Sequence, residues 1–156
     1  MTCDNDYLKV NLNEFKQHKN FSPDLIKAYK NTDFTVKSEV PFSLKIDVFN
    51  EHLVLIYREY SVNTACFITA YNPFGETVSQ TDNSIAQQHL LKDIEASELP
   101  YFKGIGSDPS GEWEGEPSFL VLGISKKSAE ALGIKYIQNA IVWCADDCTP
   151  ELLLLR

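Results

Sequence analysis

From Thr64 onward, short apolar runs of strand type alternate with runs of helical period, and this succession constrains the chain most. Residues 64–71 (Thr-Ala-Cys-Phe-Ile-Thr-Ala-Tyr) have strand composition, and Asn72-Pro73-Phe74-Gly75 breaks them. Asp82 is placed to cap a helix running to about Ala96, with Ala86, Leu90 and Ile94 as its buried stripe. Residues 101–106 form the next strand, and Pro117 closes the loop before strand 118–123. Ser125 caps a short helix through Leu132, and Gly133 is placed to stop it. Residues 138–144 and 151–155 complete the pattern as strands, the last one apolar on both faces and suited to a covered position.

Over residues 64–144 the order is βαββαβ, the pattern of a ferredoxin-like unit. It predicts an α+β two-layer sandwich with its helices on one face. The N-terminal part adds a helix and strands, and strand 151–155 extends the sheet. Ser22-Pro23-Asp24 is a helix start, and Leu25, Ile26 and Tyr29 form its apolar face. Residues 34–38 and 42–47 alternate as strands. Residues 50–60 allow two readings, because the run Leu53-Val54-Leu55-Ile56-Tyr57 suits a buried strand. Leu53, Ile56, Tyr57 and Tyr60 nevertheless fall at i, i+3, i+4 and i+7 behind Asn50, which favours a capped helix. Residues 1–20 are polar and expected to be loosely ordered. With 156 residues in all, 21–156 form one domain.

Composition narrows the partners. Lys and Arg total 14 against 22 Asp and Glu, a net charge of −8. The longest basic run is the pair Lys126-Lys127, so nothing resembles a phosphate-binding surface; the acidity disfavours nucleic acid, and none is expected as a partner. No apolar stretch approaches the ~20 residues of a membrane helix, so membrane partnership is excluded. The start Met1-Thr-Cys-Asp-Asn-Asp lacks signal-peptide character, so the expected location is cytoplasmic. Of Cys3, Cys66, Cys144 and Cys148, the last two are spaced C-x₃-C rather than C-x₂-C, and His18, His52 and His89 show no ligand spacing. No metal and no cofactor are expected.

Right-handed crossovers would carry three loops, 72–83, 107–117 and 133–139, to one end of the sandwich. Two of them are long for such connections, and long loops inside a compact domain tend to be functional. Together they carry Asn72, Ser79, Asn83, Asp108, Trp113, Glu114, Gln138 and Asn139, the candidate ligand-binding residues. Each also has a local explanation. Asn72-Pro73 and Asp108-Pro109 start turns. Asn83 belongs to a helix cap, Trp113 can plug the core, the glutamates can form a solvated rim, and the two amides can pin loop backbone. Convergence, not any single residue, points to a site. No catalytic motif is present: Gly104-Ile105-Gly106 is not followed by the third glycine of a dinucleotide loop, and Gly123-Ile124-Ser125 lacks a following Gly. Asp108 and Glu114 are the candidates for a general base, and the catalytic residues stay unknown.

From Phe67 to Pro73 (Phe-Ile-Thr-Ala-Tyr-Asn-Pro) the chain resembles an uncharacterised bacterial family, domain-of-unknown-function family 3293. The resemblance extends to Ser79 and Asn83, to Gly104-x-Gly106-x-Asp108-Pro-x-Gly111-x-Trp113, to Ser-Phe-Leu-Val-Leu-Gly at 118–123 and to Gln-Asn-Ala-Ile-Val-Trp at 138–143. It also takes in Ala-Tyr-Lys-Asn-Thr-Asp-Phe at 28–34, for a span of about 25–155. It implies a small soluble bacterial protein and carries over no activity. Two functional readings follow. One is a small-ligand-binding domain whose polar cleft lies among the three loops. The other is an acidic interaction or inhibitory module that meets a basic protein partner through Trp113 and its flanking Glu112, Glu114 and Glu116.

Overall fold

All four residues of 65–68 (Ala-Cys-Phe-Ile) are buried, and so are all five of 140–144 (Ala-Ile-Val-Trp-Cys). A strand that is apolar on both faces must be covered on both, and this requirement sets the architecture. The computed structural model describes residues 23–155; segment 1–20 and the expected cap Ser22 lie outside them.

The chain begins with α1 (Pro23–Asn31), β1 (Asp33–Val36), β2 (Phe42–Leu44) and α2 (Glu51–Tyr60). β3 (Ala65–Ile68), a 3₁₀ turn (Pro73–Gly75) and α3 (Gln80–Ala96) follow. β4 (Tyr101–Ser107), β5 (Glu116–Leu122), α4 (Lys126–Lys135), β6 (Ala140–Cys144) and β7 (Glu151–Leu154) complete it. Seven strands form one sheet in the order β2-β1-β4-β5-β3-β6-β7, and every neighbouring pair is antiparallel. The described residues thus have a mixed α/β fold, with four α-helices.

Helices cover both faces, not one. Leu53, Ile56 and Tyr57 of α2 pack with Val36, Phe67 and Leu120 on one side. Leu90 and Ile94 of α3 and Ala129 of α4 pack with Cys66, Ile68 and Val121 on the other. Cys66 and Phe67 are successive residues of β3 and therefore point to opposite faces. The expected two-layer sandwich is corrected to three layers at the sheet centre. The physical reason is the run of 50–60: as a helix it presents an apolar stripe, and the second apolar face of β3 needs a cover.

Four local expectations are also corrected. Ser79, not Asp82, caps α3, its Oγ accepting from the Asp82 N–H at 3.1 Å. Pro117 lies inside β5 rather than in the loop before it. Gly133 lies within α4 and does not end it; a Cβ there would run into Leu155 Cδ1 and come 3.0 Å from Ile141 Cγ2. Close packing, not a helix stop, explains this glycine. β7 is the edge of the sheet, with Leu152, Leu153 and Leu154 half-buried.

Candidate functional site

The sheet face that carries α2 also carries Phe67, Ser118 and Glu116, related by the two-residue alternation of β5 and the register of its neighbours. Around this end of the face α1, the 72–80 segment, the β4–β5 hairpin and the entry to β6 enclose a cleft of about 730 Å³. Phe34, Phe67 and Val142 give it apolar walls.

Asn72 organises the polar side. Its backbone is left-handed (φ 48°), a conformation that Asn tolerates better than most residues. Its N–H donates to Asn83 Oδ1 at 2.8 Å, and Asn83 Nδ2 returns a bond to Asn72 Oδ1 at 2.9 Å. Val78 N–H adds a longer bond to the same oxygen at 3.3 Å. With its oxygen so engaged, Asn72 turns Nδ2 to Glu116 Oε2, 2.8 Å away. Asn83 is only 4% exposed and sits on α3, so the helix fixes the loop residue, and the loop residue fixes the carboxylate.

Glu116 is part-buried at the start of β5. Burial raises its carboxyl above the usual glutamate range, and the Asn72 bond partly offsets this. Tyr29 of α1 faces the same cleft. Burial, and then the Glu116 charge, push its phenol up to about 12, while a bond from the Asn139 side chain acts the other way. Asn139 is 4% exposed, and its Oδ1 finds no hydrogen-bond partner among the described residues. Gln138 Nε2 donates to Tyr71 O at 3.1 Å and to Tyr136 O at 3.2 Å. The backbone adds Phe74 N–H to Ile137 O at 2.8 Å, which clasps the 3₁₀ turn to the approach to β6. Gly75 completes the clasp at φ +73°, where a Cβ would come 3.0 Å from Asn139 Nδ2.

The structure brings six of the eight candidates together: Asn72, Asn83, Trp113, Glu114, Gln138 and Asn139 line the cleft. Ser79 does not line it, being the cap of α3. Asp108 does not either. Its Oδ1 accepts from Ser110 N–H at 2.9 Å, its Oδ2 accepts from Glu112 N–H at 2.9 Å, and the Ser110 hydroxyl bonds to both oxygens at 2.8 Å. The Ser110 hydroxyl and then its N–H hold this carboxyl below the usual range, so Asp108 braces its own loop and makes a poor base. The sequence does not offer Tyr29 as a site residue, and it offers Glu116 only as an acidic flank of Trp113 toward a protein partner, not as part of the cleft. A signal for Glu116 was present: counting back by two from Leu120 and Ser118 puts it on their face. Tyr29 belonged to an apolar helix face, and nothing local said which surface that face meets.

Fold and cleft define a mixed α/β protein with a partly polar cleft beside an antiparallel sheet. Residues 68–141 match the family model described as a protein of unknown function, DUF3293. The resemblance seen in the sequence is confirmed over those residues, which hold all eight candidates, while the expected flanks 25–67 and 142–155 lie outside the match. No curated protein and no solved structure matches the chain. Among the described residues, no helix is long and apolar enough to cross a membrane.

Proposed function

We propose that this chain is a small-ligand-binding domain and that the cleft under α1 is its site. Its volume falls within the ~300–1,000 Å³ typical of ligand pockets, and apolar walls with a few placed polar groups are the usual composition of such pockets. The observation that carries the reading is the Asn83–Asn72–Glu116 chain of hydrogen bonds, which orients a part-buried carboxylate inside a concave space before any ligand arrives. Asn72, Asn83, Gln138 and Asn139 orient the ligand or hold the groups that do, and Trp113 covers it. The strand order β4-β5-β3-β6, in which the third strand of the βαββαβ unit lies between the first two, supports a ferredoxin-like core. Free buried thiols at Cys66, Cys144 and Cys148 support a reducing, cytoplasmic setting.

The competing reading is an acidic module for a basic protein. Trp113 is 39% exposed and stands between Glu112 and Glu114, which is what favours it. A thermal-shift screen against nucleotides, amino acids, sugars and divalent metals separates the two. A ligand at 100 times its Kd stabilises by ~2.7 kcal/mol, or roughly 5–10 °C for a domain of this size. The expected result is a shift that Trp113→Ala and Asn139→Ala abolish. A flat screen, together with a stoichiometric basic protein recovered at low salt by the wild type and lost with Trp113→Ala, overturns the ligand reading.

A further inference from the structure

Among the described residues, charge inside the cleft is of one sign. Glu114 and Glu116 line it, and among the described residues no lysine, arginine or histidine does. Glu116 Oε2 is bound by Asn72, while Oε1 has no hydrogen-bond partner among the described residues. A second acceptor without a donor, Asn139 Oδ1, stands in the same wall and belongs to a residue more than nine-tenths buried. Aromatic rings complete the surround, with Tyr29, Tyr71 and Trp113 among the lining side chains.

A part-buried carboxylate with no cation beside it carries an uncompensated desolvation cost, and an unpaired buried carbonyl carries a smaller one. One chemical group answers all three features. It must be positive, it must donate N–H bonds to carboxylate and amide oxygens, and it must suit an aromatic face. We infer that the cleft takes a ligand bearing a cationic nitrogen with N–H donors, an ammonium or guanidinium group, with Glu116 as its counter-ion and Asn139 Oδ1 as a second acceptor. This rests on the ligand-binding reading above and adds the class of ligand. The net charge of −8 steers such a cation toward the protein.

The pairing has a pH signature. Burial keeps the Glu116 carboxyl above its ordinary range in the free protein, and a bound cation draws it down. Binding therefore releases a proton and tightens as pH rises through the Glu116 titration. Among the described residues, the other titratable groups of the cleft are Tyr29 of α1, Tyr71, and Glu114 of the hairpin beside it.

The test uses probes of one length and three charges: 1,4-diaminobutane, butane-1,4-diol and succinate, with agmatine as the guanidinium member. Calorimetry on the whole chain is expected to show binding of diaminobutane or agmatine, at least tenfold weaker binding of the diol and succinate, and at least a tenfold loss with Glu116→Gln. Glu112→Gln removes the same charge outside the cleft and is expected to leave Kd within twofold. Circular dichroism and Tm establish that each variant is folded. The wild-type Kd is expected to be at least tenfold tighter at pH 7.5 than at pH 4.5. If the diol or succinate binds as well as the amines, or if Glu116→Gln binds them unchanged, the cationic assignment falls and the ligand-binding reading stands. If neither amine binds while another compound gives a Trp113-dependent thermal shift, the outcome is the same. Silence of all four probes overturns the cationic assignment, and the ligand-binding reading falls with it where the wider screen is also flat and the wild type recovers a basic protein that Trp113→Ala loses.

Discussion

At the scale of single residues, the site depends on amides more than on charges. Asn83 offers both of its polar atoms to Asn72, and only that pairing leaves Asn72 Nδ2 free for Glu116. Removing it orphans the Asn72 N–H and leaves Asn72 Oδ1 only the longer bond from Val78. Asn83→Ala is therefore expected to cost about 1–3 kcal/mol in urea unfolding, even though it deletes no apolar contact of note. Glu116 makes the opposite prediction. Its carboxyl is raised in the folded state, so the folded protein holds the proton more tightly than the unfolded chain does. Its contribution is present below the ordinary glutamate pKa of ~4.3 and is lost as pH rises through the folded value, with a slope of at most about 1.4 kcal/mol per pH unit. Glu116→Gln keeps a neutral group there at every pH. It is expected to be more stable than wild type at pH 7, with an advantage that shrinks toward pH 4. Asp93 and Asp108 are shifted the other way, so the wild-type curve is a sum, and the difference between the two proteins isolates Glu116. An advantage that grows toward low pH would contradict this account.

At the scale of elements, caps and packing decide where each segment starts and stops. Asn50 Oδ1 accepts from Leu53 N–H at 3.0 Å, and Asn50 Nδ2 reaches Ser43 O at 3.0 Å, so one side chain starts α2 and ties it to β2. Asn50→Ala is expected to lower stability by about 1 kcal/mol, seen as a Tm drop of roughly 2–4 °C. A harder limit lies between β1 and β4, where Gly104 faces Val36. A Cβ at 104 would come 2.6 Å from Thr35 O and 2.7 Å from the Phe67 ring. Neither the backbone carbonyl nor the buried ring can swing aside, so Gly104→Ala is expected to cost more than the ~1–3 kcal/mol of ordinary overpacking and to widen the β1–β4 pairing in hydrogen exchange. Most elements were legible because their signals are local. Asn50 and Ser125 cap the helices that the periodicity places behind them. Ser79 and Asp82 are both good caps three residues apart, and only the bond from the Asp82 N–H to Ser79 Oγ distinguishes them. At Gly133 and Pro117 residue habit points to a helix stop and a loop end, and the tertiary structure overrides it in both. Moving the start of β5 back past Pro117 is also what brings Glu116 into the site.

At the scale of the molecule, one sheet separates two cores, and the cleft lies where the cover of one face passes from α2 to α1. Convergence of the three loops was legible because crossover handedness is a rule of topology rather than of side chains. The helix on the second face was not, because amphipathicity shows that a helix packs but not on which side. The consequence is measurable. Leu53 belongs to the core under α2 and Leu90 to the core under α3, and both side chains are completely buried. Each Leu→Ala change is expected to cost about 2–5 kcal/mol. The two residues share no apolar cluster and lie on opposite faces of the sheet, so the double variant is expected to lose the sum of the single losses to within ~0.5 kcal/mol. Both cores nevertheless pack on the same strands, with Cys66 and Phe67 as successive residues of β3 facing opposite ways. Neither core can melt and leave β3 buried on its other face alone. Unfolding of each variant is therefore expected to be a single transition, coincident by far-ultraviolet circular dichroism and by the fluorescence of buried Trp143. A clear coupling energy would show that α2 and α3 share a cavity across the sheet, and two separate transitions would show that the layers fold as independent units.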